Sequence, residues 1–323
     1  MTLPSALRLL VGSGFAAAAT VFVALATFRI GSGIVPGVAA VATAGLTSVV
    51  TVDAGRREFR DAVFGEAVAA RQLERADAAD ALAVTAAGPV TYVVSVWLGQ
   101  GPVVASALIG LLAALVLGEQ AVPAYCGTFV GMVSAAVLPT LTPVAAASLV
   151  AGLVFVASKR LFDGFGGKLG TTAFLGCAAV VLPSSYTYTA GSALSPSASL
   201  AAVTAAALGA VVAFLLSVRC AYGAVVGSAV VGLAAGLFAP PILGASLGGS
   251  VAAAAFAGSF VGMVSKARLP SVSLVGVAGL LSGVVFVGVA PAVAGSGGKL
   301  GTIAFTACLL TWALSTAVSP SVA

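Results

Sequence analysis

Histidine is absent from this chain, and only nine of its 323 residues are acidic. The most frequent general base and the most frequent zinc ligand are therefore missing. The four cysteines, Cys126, Cys177, Cys220 and Cys308, stand singly in apolar runs with no C-x-x-C pair, so no structural metal site and no cofactor are expected. An intramembrane hydrolase or transferase would need histidine, paired aspartates or an activated nucleophile. Outside residues 53–82 the only acids are Glu119 and Asp163, far apart in sequence, so the chain does not read as an enzyme. A phosphate-binding G-x-x-x-x-G-K-[ST] loop is also missing. The net charge of +5 comes from scattered basic residues without interleaved aromatics, so no nucleic-acid partner is expected.

Charge itself is scarce. Charged residues make up 7% of the chain and hydrophobic ones 60%, where soluble domains carry roughly a quarter charged. With a mean hydropathy of +1.19, the composition is that of a membrane protein whose partner is the lipid bilayer. The charge-free runs are continuously apolar and do not alternate, which predicts helices and not a barrel. Runs 9–28, 30–52, 269–298 and 300–323 each fit one span, and runs 81–118, 120–158, 169–218 and 220–265 each fit two. The expectation is an all-α polytopic fold of about twelve transmembrane helices. The first run is longer than the apolar core of a secretory signal and another span follows it, so it is read as a retained helix.

Within this apolar background two stretches are nearly the same. Residues 166–174 read GGKLGTTAF and residues 297–305 read GGKLGTIAF; residues 125–136 (YCGTFVGMVSAA) and 256–267 (FAGSFVGMVSKA) keep the same offset. A third pair, VVASALIGLLAAL at 103–115 and VVGSAVVGLAAGL at 225–237, lies at a slightly shorter offset. This is an internal duplication. Counting spans between Lys168 and Lys299 gives an odd number, which predicts inverted insertion of the two copies. Were the GTFVGM helices to re-enter instead of spanning, the copies would be parallel. The expected organisation is two extra helices at 1–52, a charged cytoplasmic helical connector at 53–82, repeat 1 at 83–184, an external loop at 185–197 and repeat 2 at 198–317. With the connector inside, Lys159, Arg160, Lys168, Arg219, Lys266 and Arg268 also fall inside, leaving Arg29 and Lys299 outside. This predicts a multi-pass cell-membrane protein with both termini cytoplasmic.

Candidate site residues come from the duplicated segments. Gly167, Lys168, Gly170 and Thr171, with Gly298, Lys299, Gly301 and Thr302, open an apolar run in each copy. Glycines allow close backbone approach, helix starts present unpaired N–H groups, and a lysine beside them suits an anion. The competing reading is a tight interhelical turn whose lysine reaches the interface. Thr128 and Ser259 occupy equivalent positions on the GTFVGM and GSFVGM helices and could line a pathway. The G-x-x-x-G pairs there are accounted for by close helix packing, within the chain or in a homo-oligomer. Glu119 reads either as a gate or proton carrier or as an exposed loop residue.

GSGIVPG at 31–37, GEQAVP at 118–123 and GLFAPPILGASLGG at 236–249 resemble the three anion-binding signatures of the CLC chloride channel and transporter family. Val35 interrupts the first signature, and Gln120, Ala121 and Val122 separate Glu119 from Pro123 in the second. The resemblance implies chloride passage with Ser32, Glu119 and Phe238 near the ion. The reading that follows from the duplication is a transporter or channel for a small solute, an anion by preference, at the interface of two inverted repeats. The alternatives are a CLC-like protein and a membrane-embedded scaffold subunit without transport.

Overall fold

The computed structural model describes residues 5–31 and 74–318. Among these residues the chain forms eleven α-helices and no β-strand. The expected second helix at 30–52, and most of the charged connector, lie outside the described residues. The helices are α1 (Ser5–Gly31), α2 (Arg75–Tyr92), α3 (Pro102–Val116), α4 (Ala121–Val130), α5 (Leu141–Ala157) and α6 (Lys168–Val181). They continue with α7 (Pro196–Phe214), α8 (Ala224–Leu243), α9 (Ala245–Val261), α10 (Val272–Val289) and α11 (Lys299–Val318).

Among the described residues, twelve full-length spans are not found. Five stretches are long and apolar enough to cross a membrane: Arg75–Trp97, Pro196–Arg219, Ala224–Leu243, Val272–Val289 and Lys299–Thr316. Five shorter apolar helices accompany them. The difference arises because helices start and stop inside the apolar runs. Run 120–158, for example, holds the ten-residue α4, a turn and α5. Apolarity marks what avoids water, whereas helix ends are fixed by glycines and caps, which hydropathy does not register.

The first helix of the duplicated part starts earlier than expected. Glu74 caps α2, and its backbone N–H donates to Asp77 Oδ2 at 3.0 Å, the reciprocal arrangement that satisfies free N–H groups at a helix start. The charges of residues 75–82 thus lie on α2 itself, within the stretch expected as the helical connector. A π-helical turn, Val93–Trp97, ends α2, and Gly101 at φ 75° leads into Pro102 at the start of α3. The same succession recurs after α7, with π turn Leu215–Arg219 and Gly223 at φ 85°. Pro89 in α2 has Val211 as its counterpart in α7, so proline is not the cause of the π turn.

Every α-helix from α2 to α6 has a counterpart in α7 to α11, in the same order, and the packing follows suit. Helix α2 packs on α4 and α5 as α7 packs on α9 and α10. Similarly α3 packs on α4 and α5 on α6, as α8 on α9 and α10 on α11, while α3 meets α8 and α6 meets α11 between the sets. Small residues make this possible. A Cβ on Gly127 would strike the Val84 carbonyl of α2, and one on Gly258 would strike the Ala206 carbonyl of α7. These G-x-x-x-G faces are therefore seats for neighbouring backbones. Helix α1 lies across both sets: Phe15 stacks on Phe162 at 5.7 Å and meets Phe305 edge-on at 5.5 Å, and Phe22 meets Phe174 at 5.3 Å.

Candidate functional site: two cavities on one phenylalanine pair

The duplicated GGKLGT segments start α6 and α11, and these helices cross at their first turns. Gly167 and Gly298 precede them with φ of 80° and 77°, a left-handed conformation that glycine adopts without strain. A Cβ on Gly167 would collide with the backbone of Gly301, Ala304 and Phe305; one on Gly298 would collide with Gly170, Ala173 and Phe174. The early residues of each helix therefore face the later residues of the other. The pairing is antiparallel and two-fold symmetric about Gly170 and Gly301. Thr171 and Thr302 are fully buried, and each hydroxyl donates to the carbonyl four residues earlier, Gly167 or Gly298, at 3.3 Å.

The lysines of the motif reach back to the preceding helix. Lys299 Nζ donates to the carbonyls of Val289 (2.8 Å), Ala290 (3.2 Å) and Ala292 (2.6 Å). Lys168 Nζ donates to the Lys159 carbonyl at 3.1 Å, the position equivalent to Ala290. Each ammonium therefore sits at the C-terminal end of α5 or α10, where unpaired carbonyls concentrate partial negative charge. GGKLG thus follows a tight turn between two helices, and its lysine bonds back to the preceding segment.

Two cavities open beside the crossing. One, about 240 Å³, is lined by Lys168, Lys159, Asp163, Phe165 and Met263, among others. The other, about 180 Å³, is lined by Lys299, Ser296, Met132, Pro102 and Leu300, among others. Lys168, Leu169, Gly170 and Met263 of the first correspond to Lys299, Leu300, Gly301 and Met132 of the second. Two residues line both cavities, Phe129 and Phe260. These occupy equivalent positions on α4 and α9. Their ring centroids are 4.6 Å apart, and both are buried. Tyr125 and Phe256 back them at 4.5 Å and 4.4 Å. The two cavities thus meet the same Phe129–Phe260 pair from either side, with Tyr125 and Phe256 packed behind it.

Thr128 and Ser259 stand outside both cavities. Each is fully buried and hydrogen-bonded at 2.8 Å to a serine of the adjacent helix, Thr128 to Ser106 and Ser259 to Ser228. Tyr125 Oη joins the second pair at 3.0 Å from Ser228. These hydroxyls tie α3 to α4, α8 to α9 and the two sets to each other. Glu119 lies exposed in a 3-10 turn between α3 and α4. Phe238 is 64% exposed on α8, and Ser32 lies outside the described residues. Glu119 and Phe238 thus line neither cavity.

The two ends of the site differ in charge. At the Lys168 end, Lys159 bonds to Asp77 Oδ1 at 2.6 Å and to Asp80, and Arg268 Nε donates to the Asp163 carbonyl at 2.9 Å. Burial lowers the Lys159 pKa, but the hydrogen bonds to Asp77 and Asp80 outweigh it and leave the value above that of an ordinary lysine. The second copy carries Ser199, Ala202 and Ala290 where Asp77, Asp80 and Lys159 would be. Sequence reasoning missed the Phe129–Phe260 pair, although both stand at identical positions of the duplicated GTFVGM and GSFVGM segments. It also missed the Asp77–Lys159 pair, which no local pattern announces. No model of a known protein family matches this chain, and neither does a curated protein or a solved structure.

Proposed function

We propose that this protein is an integral membrane transporter or channel for a small solute, with a small anion as the preferred class. Its pathway runs between two inverted five-helix repeats. One observation carries the reading: two cavities, related by the duplication, end on the same two residues, Phe129 and Phe260. Such a layout is that of a conduit closed at its centre, and an apolar constriction of this kind gates by excluding water.

The direction of the helices supports inverted insertion. Helix α2 starts at the Lys168 end, where Asp77 meets Lys159. Helix α7 follows the segment in which Thr189 pairs with Ala294, close to the Lys299 cavity. The antiparallel meeting of α6 and α11 agrees with this. Lys159, Arg160, Lys168 and Arg268 gather at the first end, which favours that end as cytoplasmic. An anion is favoured because each cavity holds a lysine beside a helix start. A CLC-like pathway would need Glu119 and Phe238 at the ion, and their exposure favours the duplicated loops instead.

The test is flux from liposomes loaded with chloride, nitrate or fluoride. Replacing both phenylalanines, Phe129→Ala with Phe260→Ala, should raise efflux well above that of the wild type. Absence of efflux from both proteins, with folding verified, would overturn the conduit.

A further inference from the structure

The two cavities are alike in shape but not in the state of their lysines. An ammonium group has three protons to donate. Those of Lys299 meet three carbonyls, Val289, Ala290 and Ala292. Lys168 meets one, the Lys159 carbonyl. Two of its proton directions therefore remain for a guest in the cavity it lines. Resting on the conduit reading above, we propose that the Lys168 cavity is a binding site for a small monovalent anion and that the Lys299 cavity is not.

Charge bookkeeping sets the valence. The charged residues lining this cavity are Lys159, Lys168 and Asp163. Asp77 and Asp80 neutralise Lys159 from the α2 side. Asp163 is exposed at the rim, and Arg268 bonds to its backbone carbonyl. Lys168 is the cation with donors to spare for a guest, and the three carboxylates nearby, which outnumber the two lysines, repel a polyvalent one. A cavity of about 240 Å³ has room for nitrate, chloride or formate together with hydration water. The Lys299 cavity has Ser296 where this one has Phe165, and no second charged residue lines it. It has space for a solute in transit but no uncommitted donor on its lysine.

Calorimetric titration of the purified full-length chain with sodium nitrate tests the assignment. One nitrate should bind per chain. Lys168→Gln should weaken binding by about tenfold or more, the loss of one charge-assisted hydrogen bond, while Lys168→Arg keeps most of the affinity. Lys299→Gln, measured below its unfolding temperature, should bind as the wild type does. Unchanged affinity in Lys168→Gln, or equal loss in Lys299→Gln, overturns the assignment. Hydrogen exchange on the wild type covers the case in which Lys168→Gln does not fold. Nitrate should slow exchange at residues 166–170 and not at 297–301, and protection at both loops or at neither counts against the site. Nitrate binding that depends on Lys168, without flux, would overturn the conduit and leave the site standing. Flux without such binding would overturn the site alone.

Discussion

Gly170 and Gly301 face each other where α6 crosses α11, and a methyl group added to either would land on the Cα of the other. The relation is reciprocal, as a two-fold axis between the residues requires. No side chain larger than hydrogen fits at the point where the two halves meet. The crossing brings both lysine-bearing helix starts against the same aromatic pair, so the geometry of both cavities depends on it.

Gly170→Ala and Gly301→Ala should each destabilise the protein by about 1–3 kcal/mol, the range of overpacked cores. The two variants should be close to equal because the contact is symmetric. Gly249→Ala is the control: this exposed helical glycine has open space where a Cβ would sit, so alanine there should be neutral or slightly stabilising. Thermal unfolding in detergent gives all three values. A crossing that tolerates alanine as well as position 249 does would show that the approach of α6 and α11 is looser than described.

Much of this arrangement was legible in the residues, for a physical reason. A duplication preserves whatever the shared geometry demands, and GGKLGT is kept because a left-handed glycine, a reaching lysine and a close crossing are needed twice. The helix ends were less legible. Val93–Trp97 and Leu215–Arg219 form π turns in sequences that read as plain apolar helix. The site was legible only in part. Lys168 and Lys299 were singled out as a pair, yet their inequality arises from which carbonyls lie within reach of each ammonium, a property of the fold around α10. Thr128 and Ser259 looked like lining because they are paired and polar, but burial against Ser106 and Ser228 makes them ties between helices.

The inequality of the lysines makes a stability prediction apart from any binding. Lys299→Gln removes a charged donor from three carbonyls at the end of α10 and should cost about 2–3 kcal/mol. Lys168→Gln removes one such bond and should cost about 1 kcal/mol. Unfolding midpoints of the two variants, compared in one detergent, check the order. Equal losses would contradict the hydrogen-bond inventory on which that order rests.

Phe129 and Phe260 are symmetry partners, so single truncations should act alike. Phe129→Ala and Phe260→Ala should each destabilise by about 3–5 kcal/mol and open the barrier between the cavities. Efflux of the same small anion from liposomes should rise in both, to within about threefold of each other. Strong leakage in one and none in the other would mean that a single ring forms the barrier.

Lys159 is the counter-charge for two carboxylates that have no equivalent in the second half. The Asp77 side chain is 2% exposed, so removing Lys159 takes an ion pair away from a buried carboxylate beside Asp80. Lys159→Met should therefore cost about 1–2 kcal/mol, below the cost of breaking a fully buried pair because Lys159 is partly exposed. Asp77→Asn should cost less, because Lys159 keeps Asp80. The pair also predicts a pH dependence. The Lys159 pKa is raised in the folded protein by its hydrogen bonds to Asp77 and Asp80, against the pull of burial. A raised pKa means that the folded state holds the proton more tightly than the unfolded chain. The resulting stabilisation is fully present below the ordinary lysine value, about 10.4, and is lost as pH climbs through the raised folded value. Unfolding midpoints of wild type and Lys159→Met, followed from neutral pH into the alkaline range, should converge at the top of that range. The other lysines titrate in both proteins and cancel in the difference. A gap between the curves that stays constant would mean that Lys159 holds α2 by packing of its stem and not by its charge.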